Sequence, residues 1–381
     1  MGKIRRIVIV GPAYPLRGGI SHFNESFCLE LNQKGIDAEI VSFYLQYPAV
    51  FFPGKSQFEA AEREVKVSVH PDLSSVNPAS WRRAAERIRA LKPDVVVIRF
   101  WLPFMGISLG SLARLLRKRG IPVVGLVDNA VPHEKRPFDR SFSGWFFRHC
   151  DAFVALSQRV ADDLNRLAPG KPVHIHPHPI YDIFGAPVKR EEACAELNLD
   201  PAEKYVLFFG FVRRYKGLDL LIRAFADPRL RASGAKLIVA GEFYDDKKPY
   251  DDLVLEAGLE DFVEFRDRYI PTARVRHYFC CASIVAQPYR DATQSGVTQI
   301  AYQFGRPMLV TDVGGLAEIV PHGKAGFVTA PEPGAIADAL ARFFEQDLEA
   351  EFSAEAERRK EVFSWDHFTR EFLKFAEQIH G

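Results

Sequence analysis

The sequence has few cysteines, no long apolar run and almost no net charge, and each absence excludes a class of protein. Its five cysteines form no Cys-x-x-Cys pair and no zinc-ligand spacing, so we expect reduced thiols in a cytosolic protein. No stretch approaches the ~20 apolar residues of a transmembrane helix, and the first apolar run, residues 7–10, is too short for a signal-peptide core. The formal net charge of +1 argues against binding nucleic acid through bulk electrostatics. We therefore expect a soluble, cytoplasmic protein, at most peripheral to the inner face of a membrane.

The length and the order of segments predict two domains. A chain of 381 residues is long for one hydrophobic core. Strand-like and helix-like segments alternate along it, which is typical of doubly wound parallel sheets. A proline-rich stretch at residues 177–187 interrupts this alternation. We therefore predict an α/β protein with an N-terminal domain at residues 1–182 and a C-terminal domain at residues 183–364.

Residues 205–225 (YVLFFGFVRRYKGLDLLIRAF) place three basic side chains between an apolar strand and an amphipathic helix. Arg213, Arg214 and Lys216 therefore lie at a helix N-terminus, where unpaired backbone N–H groups and the helix dipole favour a phosphate. Gly217 would let a ligand approach the backbone closely. We predict an anion site in this turn; the alternative is an ordinary strand-to-helix turn with solvated charges.

Other turns repeat this plan of strand, small residues and helix. Gly18 and Gly19 lie between the first strand and a helix predicted from about residue 21. Ser295 and Gly296 precede an apolar helix at residues 297–304, whose free N–H groups would also suit an anion. A Gly-Gly pair at residues 314–315 follows another strand, with Glu318 three residues further on. The C-terminal domain thus presents two anion-compatible helix starts on one sheet edge.

The segment DNAVPHEKRPFD, residues 128–139, carries an unusual density of titratable groups directly after a predicted strand. In a doubly wound sheet, ligands bind beyond the carboxyl ends of the strands, where this segment and residues 99–104 (RFWLPF) lie. Asp128 opens the segment, and His133 and Glu134 are residue types that orient a hydroxyl or accept a proton. We take these three as catalytic candidates; the alternative is a solvated charge cluster.

Three histidines alternate along the segment VHIHPHP, at residues 173–179. On a strand, His174, His176 and His178 would face one way, so a zinc site is one interpretation. Because neither a cysteine nor a fourth ligand is nearby, we prefer a strand that leads into a proline-rich linker.

Residues 43–58 are aromatic, interrupted by proline and without periodicity, which predicts a long loop. Its rings argue against plain disorder. They either pack back on the domain or form a surface that faces an acceptor or a membrane.

Three segments, in this order, resemble retaining nucleotide-sugar glycosyltransferases of the family-4 type: GGISHF, FFGFVRRYKGLDLLIRAF and GRPMLVTDVGGLAEIV. The resemblance covers nearly the whole chain and implies the GT-B fold, in which two Rossmann-like domains face each other across a cleft. It also implies that the N-terminal domain binds the acceptor and the C-terminal domain binds the donor. The last helix, residues 365–381, would cross back to the N-terminal domain.

The resemblance further implies which residues bind the donor. Gly18, Gly19 and Lys216 would approach its diphosphate, together with Arg213 and Arg214. The nucleobase would lie near residues 266–269, which include Arg268. The nucleotide edge would be framed by Gly305, Pro307, Gly314, Gly315 and the following Glu318.

The chain departs from the family's pattern at three places. Phe211 stands where an arginine usually follows the strand-ending glycine, and Ala292 and Ile300 replace a Glu-x7-Glu pair that usually holds the donor sugar and ribose. Asp128 occupies the place of a usual histidine, which leaves His133 as its substitute. A subset of similar transferases carries ATQSG and PHE segments, so we predict a variant donor pocket rather than a lost activity. The ligands of sugar and phosphate in that pocket would be Gln294, Ser295 and the N–H groups of Gly296 and Val297.

The leading functional hypothesis is glycosyl transfer from a UDP- or GDP-sugar to an acceptor hydroxyl, with retention at the anomeric carbon. The acceptor would be a glycan, a lipid-linked molecule or a small molecule, and the membrane contact would be peripheral. No cofactor and no metal are expected, because helix N-termini and the basic turn would stabilise the departing diphosphate.

Three rival functions remain at this point. An epimerase or hydrolase of the same fold would need a convergent carboxylate pair, for which Glu134 and Asp128 are the candidates. A non-catalytic nucleotide-sugar-binding protein would explain the missing Glu pair. A dinucleotide-dependent oxidoreductase is disfavoured, because neither glycine loop spells GxGxxG with an acidic residue ~20 positions further on.

Overall fold

The computed structural model describes residues 4–48, 57–59, 64–131, 137–180, 183–292 and 295–380. The chain forms two compact units, Met1–His178 with Ser364–Gly381, and Pro179–Phe363. The change of unit at residues 178 and 179 lies four residues before the boundary placed by the proline-rich stretch. None of the described helices is long and apolar enough to cross a membrane.

The first unit contains a seven-stranded sheet in which every paired strand is parallel, in the order β3-β2-β1-β4-β5-β6-β7. The strand order reverses between β1 and β4, which is the topological switch point of such a sheet. The elements are β1 (Arg6–Val10), α1 (Gly19–Gln33), β2 (Asp37–Leu45), β3 (Val69–Ser74), α2 (Pro78–Leu91), β4 (Val95–Phe100), α3 (Gly106–Arg117), β5 (Val123–Val127), α4 (Asp139–His149), β6 (Ala152–Ala155), α5 (Gln158–Leu167) and β7 (Val173–Ile175).

Helices cover both faces of this sheet, which is why its central strands are buried along their whole length and, apart from Arg99 in β4, apolar. All five residues of β5 and all six of β4 are buried. One core cluster joins the sheet to α2, α3, α4 and α5, and the other joins it to α1 and the last helix of the chain, Trp365–His380. That last helix packs on α1 through edge-to-face ring pairs, Phe23 with Phe368 and Phe27 with Phe372, at centroid distances of 5.6 and 5.1 Å.

The second unit contains a six-stranded parallel sheet in the order β10-β9-β8-β11-β12-β13, again with helices on both faces. Its switch point lies between β8 and β11. The elements are α6 (Arg190–Leu197), β8 (Lys204–Phe209), α7 (Leu218–Phe225), α8 (Pro228–Ala232), β9 (Ala235–Ala240), α9 (Lys248–Glu256), β10 (Val263–Arg266), α10 (Thr272–Cys281), β11 (Ile284–Gln287), α11 (Gly296–Gln303), β12 (Met308–Thr311), α12 (Leu316–Ile319), β13 (Gly326–Thr329), α13 (Pro333–Glu345) and α14 (Glu349–Arg359), followed in the first unit by α15 (Trp365–His380).

The aromatic segment at residues 43–58 is described only in part, because residues 49–56 lie outside the described ranges. The Nε1 of Trp101 donates a 2.7 Å hydrogen bond to the hydroxyl of Tyr47, whose ring stacks on Phe104. Phe43 is buried in the core of the first unit. These described rings pack back on the unit, whereas Tyr44 and Phe58 are exposed.

The alternating histidines lie on and after β7, at the edge of the first sheet, and pack against α15. The ring of His174 stacks on Phe375 at 5.2 Å, and the ring of His176 lies 5.2 Å from His367 and 4.9 Å from Phe368. Within the described ranges, no group of three His, Cys, Asp or Glu residues could hold a metal ion. The zinc interpretation therefore finds no ligand set there, and these histidines are packing residues.

Burial of the His176 ring makes stability depend on pH. Burial lowers the pKa of His176 to about 4, and the neighbouring His367 and His174 lower it further. The hydrogen bond to Pro177 O and the charge of Glu371 act in the opposite direction. A histidine whose pKa is lower in the folded state stabilises the fold above the unfolded-state pKa of about 6.5. That contribution is lost as the pH falls from about 6.5 towards 4.

We therefore predict that the free energy of unfolding falls by about 3 kcal/mol between pH 6.5 and pH 4 through this residue. In chemical denaturation, the free energy of unfolding of His176→Phe should fall by about 3 kcal/mol less than that of the wild type between pH 6.5 and pH 4. The matched control is His322→Gln, at an exposed histidine, and it should follow the wild-type curve. Equal pH dependence of His176→Phe and the wild type would contradict the prediction.

Candidate functional site

The basic turn of the second unit is held by its backbone at the carboxyl end of β8. Gly210 follows this strand with a φ of +93°, and Val212 N donates a 2.9 Å bond to Glu242 O beyond β9. A short 3₁₀ turn covers Arg214–Lys216, and Gly217, with a φ of +67°, precedes α7. A Cβ on Gly217 would lie 2.0 Å from Pro288 O. Only glycine fits there, so the turn is pressed against the loop after β11.

Lys216 is the half-buried cation of this turn. Its Nζ lies 3.2 Å from the position that a Cβ on Gly210 would take, and 5.6 Å from the centroid of the Tyr289 ring. Burial lowers the pKa of Lys216 to about 8, and the positive charge of Arg213 contributes to the shift. The side chain is therefore mostly charged at pH 7 but poorly solvated. A bound anion would replace the solvation that burial removes from the ammonium group.

The positive charge of the turn is not neutralised within the part of the chain that the structure describes. No carboxylate there forms an ion pair with Arg213, Arg214 or Lys216. Arg290 in the neighbouring loop, in contrast, is neutralised by two bonds to Asp219, of 2.7 and 2.6 Å. The unneutralised charge at this turn is the property that the predicted anion site requires.

The turn is linked to the start of α11. Ser295 caps this helix, because its Oγ accepts a 3.2 Å bond from Val297 N. The N–H of Val297, predicted as a donor ligand, is therefore already bound within the helix start. The same Oγ lies 3.2 Å from the hydroxyl of Tyr289, the buried residue whose ring contacts Lys216. The structure thus brings Lys216, Ser295 and the first residues of α11 together, as the sequence predicted. Gln294 lies outside the described residues.

Two other predicted donor residues lie further along the same sheet edge. Glu318 follows β12 and Arg268 follows β10, and both are exposed. Arg268 follows the edge strand, which is two strands from β8 and therefore about 10 Å away. These two residues extend the edge to either side of the basic turn.

Phe211, in the place of the family's usual arginine, contributes to an aromatic surface beside the turn. It is 40% exposed, and its ring meets that of Tyr244 edge-on at 4.8 Å. The guanidinium carbon of Arg213 lies 4.4 Å from the centroid of the Tyr244 ring. A cation–π contact with Tyr244 therefore holds the Arg213 guanidinium beside Phe211, the residue that replaces the family's usual arginine.

A buried polar cluster on β11 and α11 was missed by the sequence analysis. Ala292 and Ile300 are buried and apolar, but Thr298 Oγ1 donates a 3.1 Å bond to Gln287 Oε1. Gln287 Nε2 and both amide atoms of Gln299 are buried without a hydrogen-bond partner in the described structure. The sequence signal was the pair Thr298 and Gln299 inside a helix that was predicted to be apolar.

In the first unit, Gly18 and Gly19 lie at the exposed start of α1. Gly18 has a φ of +121°, which side-chain-bearing residues rarely adopt, and no side chain caps the helix. The helix start therefore offers its backbone groups to a ligand. His133 and Glu134 lie in residues 132–136, outside the described ranges.

Asp128, the third catalytic candidate, is bound to Arg99. Arg99 Nε donates to Asp128 Oδ2 at 2.7 Å, and Arg99 Nη2 donates to Asp128 Oδ1. Arg99 is 1% exposed, and its guanidinium carbon lies 3.9 Å from the centroid of the Phe23 ring. Both carboxylate oxygens are thus engaged, so Asp128 suits holding a hydroxyl better than taking its proton. The sequence analysis had named Arg99 only as the first residue of a segment.

Known protein families match both units. A family model described as glycosyltransferase family 4 matches residues 17–181. One described as glycosyl transferases group 1 matches residues 203–346. The two parallel α/β units are those of the GT-B fold. The chain belongs to the glycosyltransferases of the family-4 type, as the three quoted segments predicted.

Two relatives share part of this sequence. D-inositol 3-phosphate glycosyltransferase of Gordonia bronchialis is 32% identical over 231 residues, which are 57% of this chain and 50% of that protein. D-inositol 3-phosphate glycosyltransferase 1 of Catenulispora acidiphila is 31% identical over 270 residues, 65% of this chain and 63% of that protein. The chain thus spans about half to under two thirds of the length of these relatives.

Two solved structures share the fold along nearly the whole chain. Sucrose-phosphate synthase of Thermosynechococcus elongatus superposes with a TM-score of 0.73 at 17% identity, covering 98% of this chain and 99% of that one. Anabaena Alr3699/HepE in complex with UDP-glucose superposes with a TM-score of 0.70 at 15% identity, covering 97% and 99%. At these identities the likeness shows the fold alone.

The close approach of Gly217 to the loop after β11 predicts a cost for any side chain there. We expect Gly217→Ala to destabilise the protein by about 1 kcal/mol through its left-handed backbone and by about 1–3 kcal/mol more through the clash with Pro288 O. Gly234→Ala is the matched control, because Gly234 has a φ of +71° and nothing within 4 Å of an added Cβ. Equal losses in urea denaturation would show that the turn does not press on Pro288.

Proposed function

We propose that this protein transfers a glycosyl group from a nucleoside diphosphate sugar to an acceptor hydroxyl with retention of anomeric configuration. The observation that carries the proposal is the cluster of Arg213, Arg214 and Lys216, which lacks carboxylate partners among the described residues and lies at the switch point of the second sheet. Membership in the glycosyltransferase family supports it. The Anabaena structure that shares the fold was solved with UDP-glucose, which supports a nucleotide sugar as the donor.

The chemical step needs stabilisation of a leaving diphosphate. The bond between the anomeric carbon and the phosphate oxygen breaks, a bond from that carbon to the acceptor oxygen forms on the same face, and the acceptor proton passes to the leaving phosphate. Negative charge grows on the diphosphate, where Lys216, Arg213 and the N–H of Gly296 at the start of α11 would stabilise it. These groups carry positive charge without a metal, so we propose a metal-independent reaction.

The acceptor is proposed to carry several hydroxyl groups. The relatives named above are D-inositol 3-phosphate glycosyltransferases, so an inositol phosphate is a reasonable first acceptor to test, beside glycans and lipid-linked sugars. A peripheral membrane contact through the aromatic segment remains a prediction, and Tyr44 and Phe58, each 43% exposed, are its described candidates.

A second candidate function is binding of a nucleotide sugar without catalysis. The observation that favours it is the apolar character of Ala292 and Ile300, which are 4% and 7% exposed where the family has carboxylates. Binding and turnover assays separate the two candidates, because both require the donor site and only one consumes the donor.

We predict that wild-type protein binds at least one member of a panel of UDP- and GDP-sugars and transfers its sugar to a hydroxylated acceptor. Lys216→Ala should weaken UDP binding about 10- to 100-fold, because a charge-assisted contact contributes about 1.5–3 kcal/mol. The control is Lys324→Ala, at an exposed lysine, which should bind like the wild type. Binding without turnover for every donor and acceptor would select the second candidate, and no binding at all would refute both.

The lowered pKa of Lys216 predicts how UDP affinity depends on pH. Because the pKa of Lys216 in the unliganded protein is about 8, this side chain loses its charge as the pH rises above that value. The dissociation constant should therefore rise between pH 7.5 and pH 9.5, approaching tenfold per pH unit. Lys216→Arg keeps its charge and should give a flat profile in calorimetry. A wild-type profile as flat as that of Lys216→Arg would contradict the prediction.

A further inference from the structure

Arg99 and Asp128 form an ion pair whose arginine is fully buried. Arg99 is among the largest fully buried side chains of the described residues, and its guanidinium group is bound to Asp128 on one edge and stacked on Phe23 on one face. Removing a guanidinium and a carboxylate from water is costly, and apolar pairs of similar volume are often no less stable in such places. A buried charge pair that stability does not demand points to a role in binding or catalysis.

The pair lies where a sheet of this kind binds its ligand. Arg99 is the next-to-last residue of β4, which neighbours β1 at the reversal of strand order, and Asp128 directly follows β5. Gly11 follows β1, and a Cβ there would lie 3.1 Å from Arg99 Cβ and 2.5 Å from Asn24 Nδ2. The Asp128 side chain is 18% exposed, so the pair reaches the surface of the unit at this edge.

Three buried polar atoms in the pair itself and in flanking elements lack hydrogen-bond partners in the described structure: Arg99 Nη1, Asn129 Oδ1 and Ser21 Oγ. Asn129 follows Asp128, and Ser21 lies in the first turn of α1, on the same face as Asn24. Buried polar groups normally have partners, and each unpaired one is costly. Three such atoms on α1, β4 and the loop after β5 leave unmet hydrogen-bonding capacity in the elements that meet the switch point.

The chemistry of these atoms indicates hydroxyl groups. Arg99 Nη1 can only donate, Asn129 Oδ1 and the Asp128 carboxylate can only accept, and Ser21 Oγ can do both. Hydroxyl groups, which both donate and accept, match such a mixed set. A phosphate can only accept and would face the Asp128 carboxylate. The pair itself carries no net charge, so it offers a neutral polar surface rather than an anion site.

We propose that Arg99 and Asp128 form a charge-neutral clamp for the hydroxyl groups of a sugar or cyclitol acceptor. Asp128, whose side chain is 18% exposed, accepts a hydrogen bond from an acceptor hydroxyl. Arg99, which is 1% exposed, is a positioning residue, because its two bonds fix the orientation of the Asp128 carboxylate. This inference rests on the proposed glycosyl transfer, of which it names the acceptor class, one acceptor ligand and the residue that positions it.

The decisive variant removes both charges, Arg99→Met with Asp128→Leu, because either single change would leave an unpaired buried group and risk misfolding. The matched control is Arg117→Met with Asp151→Leu, which removes a 2.7 Å ion pair at the opposite edge of the same sheet. Both double variants should unfold cooperatively, and both should bind UDP as the wild type does.

With the donor identified in the panel above, the Arg99/Asp128 double variant should raise the KM for a hydroxylated acceptor at least tenfold. It should leave the KM for the donor unchanged. The Arg117/Asp151 control should keep wild-type values of both constants. Wild-type acceptor kinetics in a folded Arg99/Asp128 double variant would show that the pair is structural and overturn the proposal.

A binding measurement tests the clamp even if no transfer is found. In ligand-observed NMR, myo-inositol and D-glucose should bind the wild type and the Arg117/Asp151 control, and should lose at least tenfold in affinity for the Arg99/Asp128 double variant. Inorganic phosphate should bind all three proteins equally. Equal polyol binding by all three proteins, or a loss of phosphate binding specific to the Arg99/Asp128 variant, would refute the clamp, whereas absence of transfer alone would refute only the proposed function.

Discussion

The candidate groups of this protein depend on one constraint, the parallel direction of the strands in each sheet. Parallel strands end at the same edge, so turns that are distant in sequence are brought together there. The turns that carry Lys216, Ser295 and Glu318 follow three different strands of the second sheet and meet one edge. In the first sheet the same constraint places Arg99 and Asp128 side by side after β4 and β5. The helices on both faces leave this edge as the place where polar groups reach a ligand.

The two units differ in whether the positive charge at the ligand edge of the sheet is neutralised by a carboxylate. In the second unit Asp219 neutralises Arg290, while the described residues provide no carboxylate for Arg213 or Lys216. In the first unit Asp128 neutralises Arg99 with two bonds. An unneutralised, half-buried cation favours an anionic ligand because binding replaces its lost solvation. A neutralised pair favours a neutral ligand that hydrogen-bonds. The electrostatics of each unit by itself therefore matches one of the two substrates of a sugar transfer.

The sequence predicted the elements with strong periodicity and missed those without it. The last helix, Trp365–His380, was predicted at residues 365–381, and the helix Gly296–Gln303 was predicted at residues 297–304. The edge strand Val69–Ser74 was missed because Pro71 and polar residues interrupt its pattern. The basic turn was predictable because its cations are adjacent in sequence and its helix is amphipathic. The pairing of Arg99 with Asp128, 29 residues apart, was not, because it depends on which two strands are neighbours.

The departures from the family's pattern change the charge of the donor site in a definite direction. The usual arginine and two glutamates carry a net charge of about −1 at neutral pH, whereas Phe211, Ala292 and Ile300 carry none. The change raises the summed charge of these three positions by about one unit but removes the guanidinium nearest to the basic turn. It also removes two acceptors for sugar and ribose hydroxyls. The amides of Gln287 and Gln299, buried with unpaired atoms on β11 and α11, retain hydrogen-bonding capacity there without negative charge. A donor held in this way would be bound mainly through its phosphates, with neutral amides left to discriminate among sugars.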